Sequence, residues 1–306
     1  MTADKDAQLW DTRSLVQAKA GDAAPRNAMV VLNSPLPPQS LFRKLWQNGT
    51  ASSWSREGPD LRFCADGGAN RLYDRFVKGK DRADEANWDA AVDGDEDQWL
   101  PDLILGDLDS LREDTRKYYE GKGVVVERDP DEFSTDLGKN VSRLAAIEAG
   151  TASLPRHASE SPADSRPSQR GSSEQYQLVI IGGLSGRLDQ TIHTLHALTL
   201  LAEKEGRDRI WTIGKESAAL LLTKGSHRLR IDVSLFGKTC GVLPVGCSEA
   251  YVTTSGLEWD LGPTAYMYPT SLSTAVSTSN HLVQEDVRIE TDKPVVWTME
   301  VRGGSE

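Results

Sequence analysis

The chain has 306 residues, with apolar and charged fractions of 38% and 26%, which leaves room for about two ordinary globular domains and a sizeable core. Its formal net charge of −11 excludes a general nucleic-acid binder, which needs a basic face. It leaves nucleotide binding open, because Mg²⁺ can carry the positive charge there. No run approaches the roughly 20 apolar residues of a membrane span, and residues 1–27 are mixed and charged, without the apolar core of a signal peptide. Cys64, Cys240 and Cys247 form no close pairs, which fits a reduced, cytoplasmic chain with core or strand cysteines better than a disulfide framework or a zinc site.

After that N-terminal extension, Ala28-Met-Val-Val-Leu-Asn33 reads as a buried strand. A helix over about 39–47 follows, with Leu41, Leu45 and Trp46 on one face. Leu61-Arg-Phe-Cys-Ala65 is a second strand, running into Asp66-Gly67-Gly68-Ala69-Asn70 and a helix that buries Leu72, Tyr73, Phe76 and Val77. A strand, two glycines and a helix N-terminus can cradle a phosphate or adenylate; glycines also start helices for steric reasons alone. Residues 79–100, acidic at Asp93-Gly-Asp-Glu-Asp97, read as a surface insertion.

The centre of the chain is Pro101-Asp-Leu-Ile-Leu-Gly-Asp-Leu-Asp-Ser-Leu111. Leu103, Ile104 and Leu105 suit a buried parallel strand, and Gly106 permits a sharp turn. Asp107 and Asp109, two apart, project to one side of an extended segment. Two hard oxygen ligands at a strand's carboxyl end suit Mg²⁺ shared with substrate phosphates. Alone, the same motif reads as a solvated acidic turn.

A helix near 111–120 and the strand Val124–Val126 come next. Ser134 or Thr135 caps a helix burying Leu137, Val141, Leu144 and Ile147, and Asp136 in its first turn complements the dipole. A functional Asp136 must also face Asp107 and Asp109 across adjacent strand ends. Residues 151–175, rich in Ser, Pro and charge, read as a disordered insert. The α/β pattern resumes with Gln177–Ile181, the turn Gly182-Gly-Leu-Ser-Gly-Arg-Leu-Asp189, and a helix with Leu188, Ile192, Leu195, Leu198 and Leu201 on its buried stripe. The glycines let backbone approach a phosphate and Arg187 can grip it in a fork, although no Walker or dinucleotide spacing is present. His193 and His196 have metal-ligand spacing, but they sit inside that amphipathic helix.

Strands at 209–213 and 219–222 close the α/β part. From Thr223 onward only short β-branched stretches occur, at 227–235, 239–243, 249–254, 274–278, 286–290 and 295–301. Strands without helices imply an antiparallel sandwich or barrel. The expected fold class is a parallel-sheet α/β domain, residues 28–222, followed by an antiparallel β-sandwich domain, residues 223–306.

Six segments together resemble the thiamin pyrophosphokinase family: Ala65-Asp-Gly-Gly-Ala-Asn70, Gly106-Asp-Leu-Asp-Ser110, Ser134-Thr-Asp136, Gly182-Gly-Leu-Ser-Gly-Arg-Leu-Asp189, Thr254-Ser-Gly-Leu-Glu-Trp-Asp-Leu261 and Val276-Ser-Thr-Ser-Asn280. Their order and spacing cover most of the chain from residue 28. The resemblance implies transfer of the diphosphate of ATP to thiamin with release of AMP, Mg²⁺ as cofactor, and a homodimer with active sites between subunits. It implies Asp107, Asp109 and Asp136 as metal ligands, with Arg187 beside them in catalysis. Asp66, Gly67, Gly68, Asn70, Thr135, Gly182, Gly183, Gly186, Arg187 and Asp189 are then the nucleotide site. Glu132, Leu257, Trp259, Ser279 and Asn280 are then the thiamin site, with an outward indole to stack on the substrate and Ser279 and Asn280 to meet its pyrimidine edge.

Two positions depart from the family pattern. Glu132 stands where a glutamine is expected, adding negative charge beside a cationic substrate, and Thr194 stands where bacterial relatives tend to have asparagine. Lys139 is close enough in sequence to be a phosphate ligand, but reads first as a surface lysine. Two other functions fit parts of the pattern. A nucleotide-sugar transferase also uses Asp-x-Asp, but leaves the Trp259 and Asn280 segments without a role. A non-catalytic thiamin- or nucleotide-binding regulator is expected to have lost an acidic ligand, and all three are present. Because the 151–175 stretch has little apolar content to bury, deleting residues 155–172 is expected to leave melting temperature and activity nearly unchanged; a deletion variant that fails to fold contradicts this.

Overall fold

The computed structural model describes residues 7–16, 26–47, 61–79, 96–153, 175–245, 247, 249–262 and 277–302. Most of the two predicted inserts, residues 80–95 and 154–174, lie outside them, as do residues 274–276 of a predicted strand.

Strands β2 (Asn27–Val31), β3 (Leu61–Ala65), β4 (Leu103–Gly106), β5 (Val125–Arg128), β6 (Gln177–Ile181) and β7 (Ile210–Ile213) pair in parallel, in the spatial order β7-β6-β2-β3-β4-β5. Most are near-continuous apolar runs because both faces are covered. Ala28 and Val30 of β2 share a core with Leu137, Val141 and Leu144 of α4 (Asp136–Glu148) and with Leu198 and Leu201 of α5 (Leu188–Glu205). Met29 and Val31 point the other way, into a core with Leu41, Phe42, Leu45 and Trp46 of α1 (Gln39–Gln47), Leu72 of α2 (Gly68–Leu72) and Tyr119 of α3 (Glu113–Gly121).

Beyond β7 the sheet changes sense. β8 (Ser217–Leu222), β14 (Val295–Val301), β10 (Phe236–Leu243) and β12 (Ser277–His281) add antiparallel, making one ten-stranded sheet. A second sheet, in the order β1 (Gln8–Asp11), β9 (Gly225–Arg230), β13 (Asp286–Thr291), β11 (Val252–Ser255), contributes Leu229, Val252, Val287 and Ile289 to a core with Phe236, Trp297 and Met299 of the large sheet. The result is the expected α/β half followed by a β-sandwich, with the two halves sharing an unbroken sheet.

Three features go beyond the sequence pattern or correct it. Within the N-terminal extension, β1 pairs in parallel with β9, Gln8 opposite His227. Its Trp10 is buried edge-on against Trp211, with ring centroids 5.6 Å apart, and donates from Nε1 to His227 Nδ1 at 3.2 Å. Secondly, the end of the stretch read as a surface insertion is core. Trp99, in a single turn over Glu96–Trp99, is 2% exposed and stacks on Phe76 at 3.8 Å between centroids, with Phe42 5.9 Å away. The acidic run ahead of it hides this anchor in any composition window. Thirdly, Leu188 and Ile192 are exposed rather than buried, while Thr194, Leu198, Thr199 and Leu201 face inward. Periodicity records which residues share a face, not how far along the helix a neighbour covers it.

The three cysteines are free, and burial pushes the Cys240 thiol up to about 12. Since Trp99 fills a four-ring stack, Trp99→Ala is expected to cost roughly 3–5 kcal/mol of stability; an unfolding midpoint in urea equal to that of the parent chain contradicts this.

Candidate active site

The carboxyl ends of β3 and β4 lie side by side, Ala65 opposite Leu105, so the turns that follow them begin at neighbouring points. Gly106 permits their convergence: a Cβ there would sit 2.6 Å from Asp66 Cβ and 2.9 Å from Asp136 Oδ1. Carboxylate oxygens of Asp66, Asp107 and Asp109 come within 4.8 Å of one another. Asp136 begins α4, where Thr135 Oγ1 caps the helix by accepting from the Gly138 amide at 3.2 Å. One turn on, Asn140 donates to Leu105 O at 3.0 Å and to Asp136 O at 2.8 Å, tying α4 to the end of β4. This is how Asp136 comes to lie across from the Asp107 turn.

Lys139 corrects the surface reading. Its side chain is 1% exposed and its Nζ lies 3.6 Å from Asp136 Oδ1 and 3.8 Å from Asp107 Oδ2. A helical i, i+3 step from Asp136 puts it on the sheet-facing side, a placement its charge alone does not announce. The cluster's electrostatics follow from burial. Asp66 is buried and its acidity is weakened to a pKa of about 6, first by loss of solvent and then by the nearby Asp136 and Asp109, against the Ser110 amide, which donates to Oδ2 at 3.0 Å. Burial and Asp107 also raise Asp136, opposed by Lys139. Asp109 is exposed and is lowered by the Ser110 hydroxyl, which donates to it at 2.9 Å. Oδ1 of Asp66 and Oδ1 of Asp136 are buried with no hydrogen-bond partner among the described residues.

The glycine turn after β6 lies at the same edge of the sheet. Gly182, Gly183 and Gly186 all have positive φ, of 97°, 79° and 89°, which other residues adopt only under strain. Added Cβ atoms would meet Ser34 at Gly182 and Thr194 at Gly183. Ser34 and Ser185 each bury a hydroxyl with no hydrogen-bond partner among the described residues. Ser34, in the turn after β2, is a candidate phosphate contact that the sequence reading missed; only its position before the proline-rich turn hinted at it. Arg187 is exposed and paired with Asp189, Nε to Oδ1 at 3.1 Å. His193 Nε2 meets Thr135 Oγ1 at 3.2 Å and so links α5 to the start of α4, whereas His196 is exposed.

Other predicted residues are accounted for differently. A Cβ at Gly68 would strike Val31 O at 2.1 Å, a steric reason for that glycine which involves no phosphate. A Cβ at Gly67 would meet the Asn33 side chain. Asn70 spends its amide on the loop after Asp109, donating to Ser110 O at 2.8 Å and accepting from the Arg112 amide at 3.2 Å. In the β half, Trp259 is 56% exposed, as a stacking face requires, and Leu257 is 4% exposed, in the core. Glu132 and Ser279 are exposed. Asn280 is buried, and its amide is taken up by the backbone of Trp259.

A carboxylate edge and a glycine turn on a parallel sheet, joined to an antiparallel β half, define an α/β enzyme of the phosphate-transferring class. Residues 52–208 match the family model "Thiamin pyrophosphokinase, catalytic domain", and residues 226–296 match "Thiamin pyrophosphokinase, vitamin B1 binding domain". The chain belongs to the thiamin pyrophosphokinase family. Thiamine pyrophosphokinase 1 of Oryza sativa subsp. japonica is 31% identical over 285 residues, covering 92% of this chain and 90% of the relative. The Saccharomyces cerevisiae thiamine pyrophosphokinase is 28% identical, over 90% and 85% of the two chains. Among solved structures, yeast thiamin pyrophosphokinase superposes with a TM-score of 0.67 at 25% identity, covering 97% of this chain and 92% of that one. The Candida albicans enzyme shares the fold, with a TM-score of 0.70 at 19% identity over 99% and 95% of the chains.

The raised Asp66 sets a pH dependence in the metal-free protein. Its folded pKa of about 6 lies above the ordinary value of 3.8, so between these pH values the folded state binds more protons than the unfolded state. Stability is therefore lost as pH rises through this window. Asp66→Asn is expected to melt above the parent chain at pH 7.5 without divalent cation, with the gap closing toward pH 4. A gap that persists or widens at pH 4 contradicts the assignment.

Proposed function

We propose that the chain is a thiamin pyrophosphokinase, transferring the diphosphate of ATP to the hydroxyl of thiamin and releasing AMP. The observation that carries this reading is the gathering of Asp66, Asp107, Asp109 and Asp136 around Gly106, beside a three-glycine turn. In our reading residues 28–222 form the nucleotide-handling part and residues 223–306 the thiamin-binding part.

Mg²⁺ fits the donor set: hard carboxylate oxygens, two of them buried and unpartnered among the described residues, at the carboxyl end of a strand. Asp107, Asp109 and Asp136 would hold it, and Asp66 is close enough to join them. The ion would neutralise phosphate charge as the bond to the leaving AMP breaks. Lys139 offsets the carboxylates from within the protein, so the four acids can stay together before substrate arrives. The backbone of Gly182–Gly186, the hydroxyls of Ser34 and Ser185, and Arg187 released from Asp189 would grip the phosphates. One of the carboxylates accepts the thiamin hydroxyl proton as that oxygen attacks phosphorus. Trp259 offers the aromatic face for the cationic thiazolium. Exposed Leu188, Ile192 and Phe133 flank the His193–Thr135 contact, and a second subunit covering them would complete the site in a cytoplasmic homodimer.

Incubation of the purified chain with MgATP and thiamin is expected to yield AMP and thiamin diphosphate in equal amounts. Asp107→Asn and Asp109→Asn are each expected to lower kcat by about 10²-fold or more while circular dichroism stays unchanged, since each removes a charge from the metal site. Parental turnover in either variant at saturating MgATP sinks the assignment.

A further inference from the structure

We infer that Asn280 is a positioning residue that holds Trp259 in its substrate-facing pose and does not itself bind substrate. This rests on the reading of Trp259 as the stacking face for thiamin. A primary amide has two donor hydrogens and two acceptor lone pairs, and in Asn280 all four are used. Oδ1 accepts from the Trp259 amide at 3.2 Å and from the His281 amide at 2.9 Å. Nδ2 donates to Trp259 O at 2.9 Å and to Ser277 Oγ at 3.3 Å. The side chain is buried at 2% exposure. No capacity remains for a ligand, and both backbone groups of one residue, Trp259, are bracketed by one side chain.

The neighbouring residues complete the frame. Asp260 Oδ1 accepts from the Leu257 amide at 3.0 Å and from Thr254 Oγ1 at 3.0 Å, while its Oδ2 accepts from the Gly256 amide at 3.2 Å. Thr254 Oγ1 takes the Leu261 amide at 2.7 Å, and Glu258 N donates to His281 O at 2.9 Å. Leu257 anchors the turn in the core and bridges to Leu282. Within Thr254–Leu261, the large apolar group left in solvent is the Trp259 indole, 56% exposed and 5.6 Å from the His281 ring between centroids. With its backbone held this way, the indole projects from a fixed point before substrate arrives, so stacking on it costs less ordering. Asparagine is the residue for this task. Aspartate lacks the donors for Trp259 O, and alanine leaves Trp259 N, Trp259 O and His281 N without the amide.

The test is a double-mutant cycle on thiamin KM with Asn280→Ala, Trp259→Ala and the pair. Asn280→Ala is expected to raise thiamin KM roughly tenfold, with ATP KM within about twofold of the parent. In the Trp259→Ala background, which has already lost the stacking face, the same change is expected to add less than about twofold. If the two effects multiply instead, Asn280 contacts thiamin directly and the inference falls. If Asn280→Ala folds as the parent does and leaves thiamin KM unchanged, the bracket has no bearing on binding and the inference falls as well. Should Trp259→Ala alone leave thiamin KM unchanged, the failure lies in the stacking reading itself and takes the inference with it. Asn280→Asp keeps both acceptors and loses both donors, and it carries the same cycle if the alanine variant does not fold.

Discussion

Everything at this site depends on empty space at Gly106. Two strand ends and a helix start converge there, and one methylene at that position would overlap Asp66 Cβ and an oxygen of Asp136. The absence of a side chain lets the carboxylates of Asp66, Asp107 and Asp109 come within 4.8 Å of one another, with Asp136 close against Gly106. That arrangement is costly in the free protein, as the weakened acidities of Asp66 and Asp136 record. The cost is tolerable because Lys139 is buried with the cluster and a backbone amide and a hydroxyl from Ser110 are turned toward it. A divalent ion placed among these carboxylates would relieve the repulsion that the fold has built up.

A second theme is the use of asparagine as a bracket. Asn140 joins α4 to β4, Asn70 joins the start of α2 to the loop after Asp109, and Asn280 joins β12 to the Trp259 turn. Each is buried, and each bonds to main chain far away in sequence. Charged or aromatic groups then project from frames that these amides fix. The division of labour is sharp: amides hold the backbone from which the charged and aromatic side chains project.

Much of this was legible in the sequence. The parallel strands are apolar runs, the change from helices to short strands after Leu222 marks the sandwich, and Asp107 and Asp109 lie together, though with Asp66 as their third neighbour and Asp136 across from Asp107. The misreadings share one cause, that a residue's chemistry was read without its surroundings. Lys139 looked like surface because lysine usually is, yet its place in α4 turns it inward. Nor does a linear sequence show that the hydrogen bonds of Asn280 are taken up by the backbone of Trp259 and His281 and by Ser277. Trp99 was masked by its acidic neighbours, and Leu188 and Ile192 kept helical spacing where no described element of this chain covers them. Long-range pairing, such as β1 with β9, leaves no trace in local pattern at all.

That last pairing has a consequence for how the chain is made. β1 lies ahead of the entire α/β half, and its partner is 219 positions further on, Gln8 opposite His227. At ribosomal speeds of about 5–20 residues per second, β1 waits on the order of ten to forty seconds with its Trp10 unburied. The parallel strands, whose partners arrive sooner, can assemble in the meantime. The sandwich then closes against a strand that emerged before the whole α/β half and is placed after it. During that interval Trp10 is an uncovered apolar group on a nascent chain.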